Sequence, residues 1–385
     1  MILGVSILII LTGTFLAFSN GANDNFKGVA TLLGSKTTSY KVALIWATLT
    51  TFAGSVAAFF LAQKLMVNFS GKGLVPDSVV QMSAFSVSVA LAAALTVFLA
   101  TKLGFPISTT HAITGALVGA GILASPEGVN ASKLFSSFFL PLLISPLIAI
   151  ISAMVIYPLF RFTRKKLKVD RKSCLCIGNE VVAPAPHGFV NGAAAATLNF
   201  ETYPTISFGT KVSCEERYVG EVWGLNAKTL LDSFHFLSSG LVSFARGLND
   251  TPKIAALLLI GNSISADSIS PMQAIGITGI AIAIGGVLMA KKIANTMSYE
   301  ITKMNDGQGF SANLITSAIV IGASQIGMPV STTHVSCGAL FGIGSITKQA
   351  QWGGILKIVA SWLITLPVAG VLGYLSFLIF RGGLS

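Results

Sequence analysis

The sequence predicts an all-α polytopic membrane protein made of two inverted-topology repeats with broken or re-entrant helices. Three observations carry this reading: an apolar composition, long apolar segments on both sides of a basic central stretch, and two polar motifs that recur in the same order in each half. Hydrophobic residues make up 53% of the 385 positions and charged residues only 10%, far from the balance of a soluble domain.

A bilayer core needs roughly 20 mostly apolar residues per helical crossing. Five segments meet that need early in the chain, near 1 to 19, 41 to 62, 79 to 101, 105 to 124 and 134 to 160. Five more lie near 229 to 246, 272 to 290, 311 to 327, 328 to 347 and 354 to 380. The first segment has no basic stretch before it and no small-residue cleavage site after it, so it reads as a retained membrane helix rather than a signal peptide.

Three regions follow: a first repeat over 1–160, a linker over 161–228 and a second repeat over 229–385. The linker opens with seven Lys or Arg between Arg161 and Lys172 against the single Asp170, which places it in the cytoplasm by the positive-inside tendency. Counting five crossings back puts the N-terminus outside, and five forward puts the C-terminus outside as well. An odd number of crossings per half inverts the second repeat relative to the first. The stretch 173 to 220 is rich in Pro, Gly and small polar residues and reads as a mostly irregular loop. Cys174, Cys176, Cys214 and Cys337 show no paired C-x-x-C spacing, so neither a zinc site nor a disulfide framework is expected. The net charge of +11 does not mark a nucleic-acid binder, because apolar runs interrupt any continuous basic face.

The halves align through two motifs. At an offset of 226, ANDNFKGVATLL (22 to 33) pairs with LNDTPKIAALLL (248 to 259); at 223, PISTTHAITGALVG (106 to 119) pairs with PVSTTHVSCGALFG (329 to 342). Both interrupt apolar segments, with Gly21, Gly28, Gly247 and Pro252 as helix breakers. Polar backbone at membrane depth is tolerated only where protein or a water-lined cavity satisfies it, so the motifs point to a transport site where the repeats meet.

Asp24 and Asp250 are ionisable residues in apolar surroundings, each beside an amide, Asn23 or Asn249. Such groups default to function, and their oxygens suit a hard cation. Lys27 and Lys253 follow three residues later, close enough on a helix to pair with the carboxylates. Neutralising a buried helix end is the blander role for each pair. In the second motif, Pro106 and Pro329 precede Ser-Thr-Thr runs that favour a helix N-terminus. Free amides there, with the hydroxyls of Ser108, Thr109, Thr110, Ser331, Thr332 and Thr333, suit a tetrahedral oxyanion; capping or cross-helix bonding is the alternative. His111 and His334 are supporting candidates that carry protons or orient helices. Gly115, Gly119, Gly338 and Gly342 have the small-xxx-small spacing of close helix packing.

These two duplicated motifs together resemble the PiT family of inorganic phosphate transporters, over both halves but not the linker. The resemblance implies secondary active phosphate transport, driven by sodium or protons, with some bacterial relatives preferring sulfate. It places Asn23, Asp24, Asn249 and Asp250 in the ion and substrate centre and the Ser-Thr-Thr runs on phosphate. One departure is that the first motif continues D-N-F-K, where many relatives have a small apolar residue after Asp, so Asn25 inherits no role.

The expected function is therefore phosphate import by cation symport, with sodium at Asn23, Asp24, Asn249 and Asp250, through alternating access in the cell membrane. An ionised Asp accepts from the proton that phosphate keeps and repels sulfate, which favours phosphate. Proton-coupled phosphate or sulfate transport and an anion channel are the alternatives. No enzyme chemistry is expected, because no hydrolase triad or HExxH signature is present. Sodium as coupling ion, phosphate and membrane lipid are the expected partners, with no other cofactor, and homo-oligomerisation is left open.

Overall fold

The computed structural model describes residues 2–125, 127–182, 201–261 and 269–383. Its first half contains α1 (Ile2–Asp24), a 3-10 turn (Lys27–Val29), α2 (Ala30–Gly34), α3 (Tyr40–Leu61), α4 (Gln63–Asn68), α5 (Asp77–Val80), α6 (Ser83–Leu103), α7 (Thr109–Ala124), α8 (Ala131–Leu134) and α9 (Leu140–Lys166). Strands β1 (Ser173–Val182) and β2 (Glu201–Thr210), helix α10 (Lys211–Arg217) and strand β3 (Tyr218–Asn226) follow. The second half holds α11 (Ala227–Gly261), α12 (Pro271–Met289), α13 (Lys291–Tyr299), α14 (Asp306–Gln325), α15 (Thr332–Thr347) and α16 (Trp352–Phe380).

The chain forms two compact units, Met1–Tyr157 with His235–Ser385, and Pro158–Phe234. The larger, helical unit exposes many large apolar residues, including Leu143, Ile151, Leu363 and Ile379, as a lipid-facing surface requires. Among the described residues, six helical stretches are long and apolar enough to cross a membrane: Gly4–Gly34, Tyr40–Leu61, Ser83–Leu103, Ala131–Lys166, Pro271–Met289 and Trp352–Phe380. That is fewer than the ten segments expected. Helices α7 and α15 have 16 residues each and span about 24 Å, short of a hydrocarbon core of about 30 Å. Helix α14 is diluted by Asp306, Gln308 and Asn313, and α11 by Arg246, Asp250 and Lys253.

The expected breaks are present in one half only. Helix α1 ends at Asp24 and the chain passes through a turn into α2, whereas α11 runs unbroken for 35 residues with Pro252 inside it. Gly21 and Gly247 act through close approach instead of breaking helices: a Cβ would lie 1.9 Å from the Ile282 oxygen and 2.1 Å from the Thr51 oxygen, respectively. The same reciprocity holds for Gly285 against Phe18 and Gly54 against Phe244, with Cβ-to-oxygen distances of 2.0 Å in both. Thus α1 packs on α12 as α11 packs on α3. Gly115 and Gly119 bring α7 onto Leu366 and Gly370 of α16, and Gly338 and Gly342 bring α15 onto Pro146 and Ile150 of α9. Each half therefore completes its packing with the corresponding helix of the other.

The smaller unit departs from the irregular loop expected over 173 to 220. It contains an antiparallel three-stranded sheet in the order β2-β1-β3, with Ser173 opposite Thr210 and Cys174 opposite Asn226. Thr210 and Ser213 form a reciprocal capping box at the start of α10, and Arg217 donates to both Glu180 carboxylate oxygens at 3.2 Å. The Pro- and Gly-rich run that suggested an irregular loop falls mostly at 183–200, outside the described residues; the flanking stretches alternate in strand fashion, with Cys174 and Cys176 on the buried face. Cys176 and Cys214 form a disulfide across 38 positions, a pairing that local spacing does not reveal. Cys174 and Cys337 are free and buried.

Candidate transport site

The two Ser-Thr-Thr-His runs start short helices in the same way. Ser108 and Ser331 are N-caps whose hydroxyl oxygens accept from the amides of His111 at 3.2 Å and His334 at 3.3 Å. Capping thus occupies these two candidate hydroxyl oxygens as acceptors while their protons remain donors. The cap brings the carbonyls of Ile107 and Val330 and the hydroxyls of Thr109, Thr110, Thr332 and Thr333 to the buried start of each helix.

Both N-D motifs meet these starts. Lys27 is ion-paired with Asp24, and its Nζ also donates to Asn23 Oδ1 at 2.8 Å, to the Ile107 carbonyl at 2.7 Å and to Thr333 Oγ1 at 2.7 Å. Lys253 repeats the pattern from the other half: its Nζ donates to Thr110 Oγ1 at 2.7 Å, to the Val330 carbonyl at 2.9 Å and to Asp250 Oδ1 at 3.4 Å. Thr333 and Thr110 pass their own protons to the Ile107 and Val330 carbonyls at 3.0 and 3.3 Å. Each lysine therefore reaches a threonine of the opposite repeat.

Sequence reasoning missed two residues here: Asn20, which links the carboxylates, and Arg246, which holds Asn20. Asn20 Nδ2 donates to Asp24 Oδ2 at 2.9 Å and Asp250 Oδ2 at 3.3 Å, and lies 3.0 Å from Thr109 Oγ1, which itself donates to Asp24 at 3.0 Å. Arg246, fully buried, donates to Asn20 Oδ1 at 3.4 Å and Asn25 Oδ1 at 3.2 Å, and its Nε has no partner among the described residues. Asn20 and Arg246 occupy equivalent positions at the 226 offset. A search for identical pairs passes over them because amide became guanidinium; the signal available was an arginine inside an apolar segment. Asn25 thereby acquires a place, holding Arg246.

The remaining candidates split. Thr332 accepts from Asn249 at 3.3 Å, and Asn249 also donates to the Val330 carbonyl at 3.1 Å, mirroring Asn23, which donates to Thr101 and the Phe105 carbonyl. The His111 and His334 rings lie tilted at 48° with centroids 4.3 Å apart, and His334 stacks on Trp362 at 3.8 Å. They pack beside the polar centre and make no hydrogen bond to either carboxylate. Three cationic groups, Lys27, Lys253 and Arg246, thus face Asp24 and Asp250 in a buried setting where unpaired charge is expensive. One positive charge is in excess, beside hydroxyl donors of two helix N-termini. That is an environment for an anion.

Comparison with known proteins points the same way. The model of the phosphate transporter family matches residues 20–373, which include every residue of this centre. A protein of Pyrococcus horikoshii named as a phosphate permease is 26% identical, with 96% of each chain covered. A chloroplastic inorganic phosphate transporter of Arabidopsis thaliana is also 26% identical, over 98% of this chain and 72% of its own length. A solved structure described as the sodium-dependent phosphate transporter superposes with a TM-score of 0.74 at 22% identity, covering 99% of this chain and 100% of that one. The chain belongs to the phosphate transporter family.

Proposed function

We propose that this protein imports inorganic phosphate across the cell membrane by cation symport, with the two repeats moving about one central site to alternate access. The observation that carries this reading is the convergence of both N-D motifs and both Ser-Thr-Thr runs in one buried polar cluster: Asn20 meets Asp24, Asp250 and Thr109, while Asn249 and Lys27 bond Thr332 and Thr333. Phosphate would sit beside Thr109, Thr332 and Arg246, with Ser108, Ser331, Thr110 and Thr333 at the flanking helix starts. Inverted repeats over 1–160 and 229–385 are supported by the sense of packing. Trp46 and Thr51 meet Gly240 and Gly247, so α3 and α11 run parallel. The five-residue link between α2 and α3 reverses the chain, so α11 runs opposite to α1. The basic linker is then cytoplasmic and both termini external.

Sodium is the cation suggested by the oxygen-rich N-D motifs and by the description of the solved relative. One observation favours protons instead: the oxygens of Asn23, Asp24 and Asp250 already receive lysine ammonium groups. Uptake of labelled phosphate into proteoliposomes, with sodium and proton gradients imposed separately, tests both levels. Gradient-driven accumulation that unlabelled phosphate suppresses more than sulfate does is the expected result; accumulation of sulfate alone, or flow that no gradient drives uphill, contradicts it.

A further inference from the structure

We infer that Lys27 and Lys253 are tethered cations whose ammonium groups fill the two oxygen nests, one per repeat, that free coupling cations would otherwise occupy. The donor set is that of a hard-cation site: a carboxylate, a backbone carbonyl and a hydroxyl around each Nζ, with an amide oxygen added at Lys27. A sodium ion would find suitable ligands of the right chemistry but no vacancy among them. Its fit to Asn23, Asp24 and Asp250 therefore fails through occupancy, not through ligand type.

Two features separate this role from simple neutralisation of a helix end. An i,i+3 ion pair needs only its own helix, whereas Lys27 crosses to Thr333 and Lys253 crosses to Thr110. The backbone carbonyls they bind, Ile107 and Val330, are equivalent at the 223 offset and immediately precede the N-caps. Both lysines thus tie an N-D motif to the helix starts where an anion is expected. Charge points the same way. The lysines and Arg246 already exceed the two carboxylates by one positive charge, so a monoanion is balanced without a further ion. Adding sodium would crowd cations in a low-dielectric site. Because each ammonium is covalently held, it stays with the protein as access alternates and is not carried across.

The functional meaning rests on the phosphate reading, but the occupancy does not, and the test keeps the two apart. Radioactive sodium binding is measured on the purified full chain and on the Lys27→Asn/Lys253→Asn variant, alongside phosphate uptake by proteoliposomes in sodium or choline salt. The expected results are no saturable, Asp24-dependent sodium binding to the wild type and an uptake ratio of about one between the two salts, as absence of linkage requires. The double variant should gain saturable sodium binding. Saturable binding to the wild type that Asp24→Asn abolishes, or wild-type uptake that requires sodium, overturns the inference; these arms need no lysine variant to fold. Absence of phosphate uptake in both salts, with wild-type sodium binding still nil, refutes the phosphate reading and leaves the occupied nests standing.

Discussion

Removing Lys27 while Asp24 remains should be more damaging than removing both charges together. In Lys27→Met the Asp24 carboxylate, 3% exposed, keeps only its Asn20 and Thr109 donors. Breaking a buried ion pair on one side costs about 3 to 5 kcal/mol, because the surviving charge is left uncompensated. The other oxygens lose less: Asn23 Oδ1 still accepts from the Ile107 amide, and the Ile107 carbonyl still accepts from Thr333. In Asp24→Asn the ammonium keeps three neutral oxygens at 2.7 to 2.8 Å, so the loss should be nearer the 1.5 to 3 kcal/mol typical of a hydrogen bond to a charged group, or roughly half as large. The double variant should then be more stable than Lys27→Met, with a coupling on the order of 2 kcal/mol between the sites. Thermal unfolding of the purified protein in detergent micelles, read as the order of midpoints, measures this. A double variant that falls by the sum of the two single losses would refute the argument that these charges share one buried pair.

The other predictions concern the anion side and topology. Arg246→Lys keeps the charge but loses the planar fork that bonds both Asn20 and Asn25, and should weaken phosphate binding at least tenfold in calorimetry, whereas unchanged affinity would make Arg246 a packing residue. Thr109→Val with Thr332→Val preserves shape and removes two hydroxyls, costing about 1 to 3 kcal/mol each in phosphate affinity; unaltered affinity would assign both to helix ends alone. Gly119→Leu should lower the amount of folded protein, since even a Cβ would lie 1.8 Å from the Gly370 oxygen, and wild-type yield and unfolding midpoint would contradict that contact. A cysteine placed at Lys166 should resist impermeant reagent in intact cells and react after permeabilisation, the reverse pattern placing the linker outside.

The duplicated motifs were legible because identical residues recur at fixed offsets, and the polar centre they form could be anticipated from the high cost of charge inside apolar segments. Asn20 and Arg246 were hidden by their difference. Their roles depend on a contact across the repeats that no single-strand pattern encodes. The break after Asp24 followed from local residues, but Pro252 did not break α11 despite its missing amide, because neighbouring packing outweighs a local propensity. The sheet and the Cys176–Cys214 pair escaped for a related reason: strands gain their identity from partners distant in sequence, and the conspicuous Pro and Gly signals nearby favoured a loop.

Locating the anion tests the account most directly. Arsenate shares the tetrahedral shape and charge of phosphate and scatters anomalously, so crystals of the full chain grown with arsenate would report its position without assumption. The account predicts one anomalous peak per chain, within hydrogen-bond reach of Thr109, Thr332 and Arg246 and removed by excess phosphate. A phosphate-displaceable peak confined to another part of the protein, with this centre empty, would contradict it.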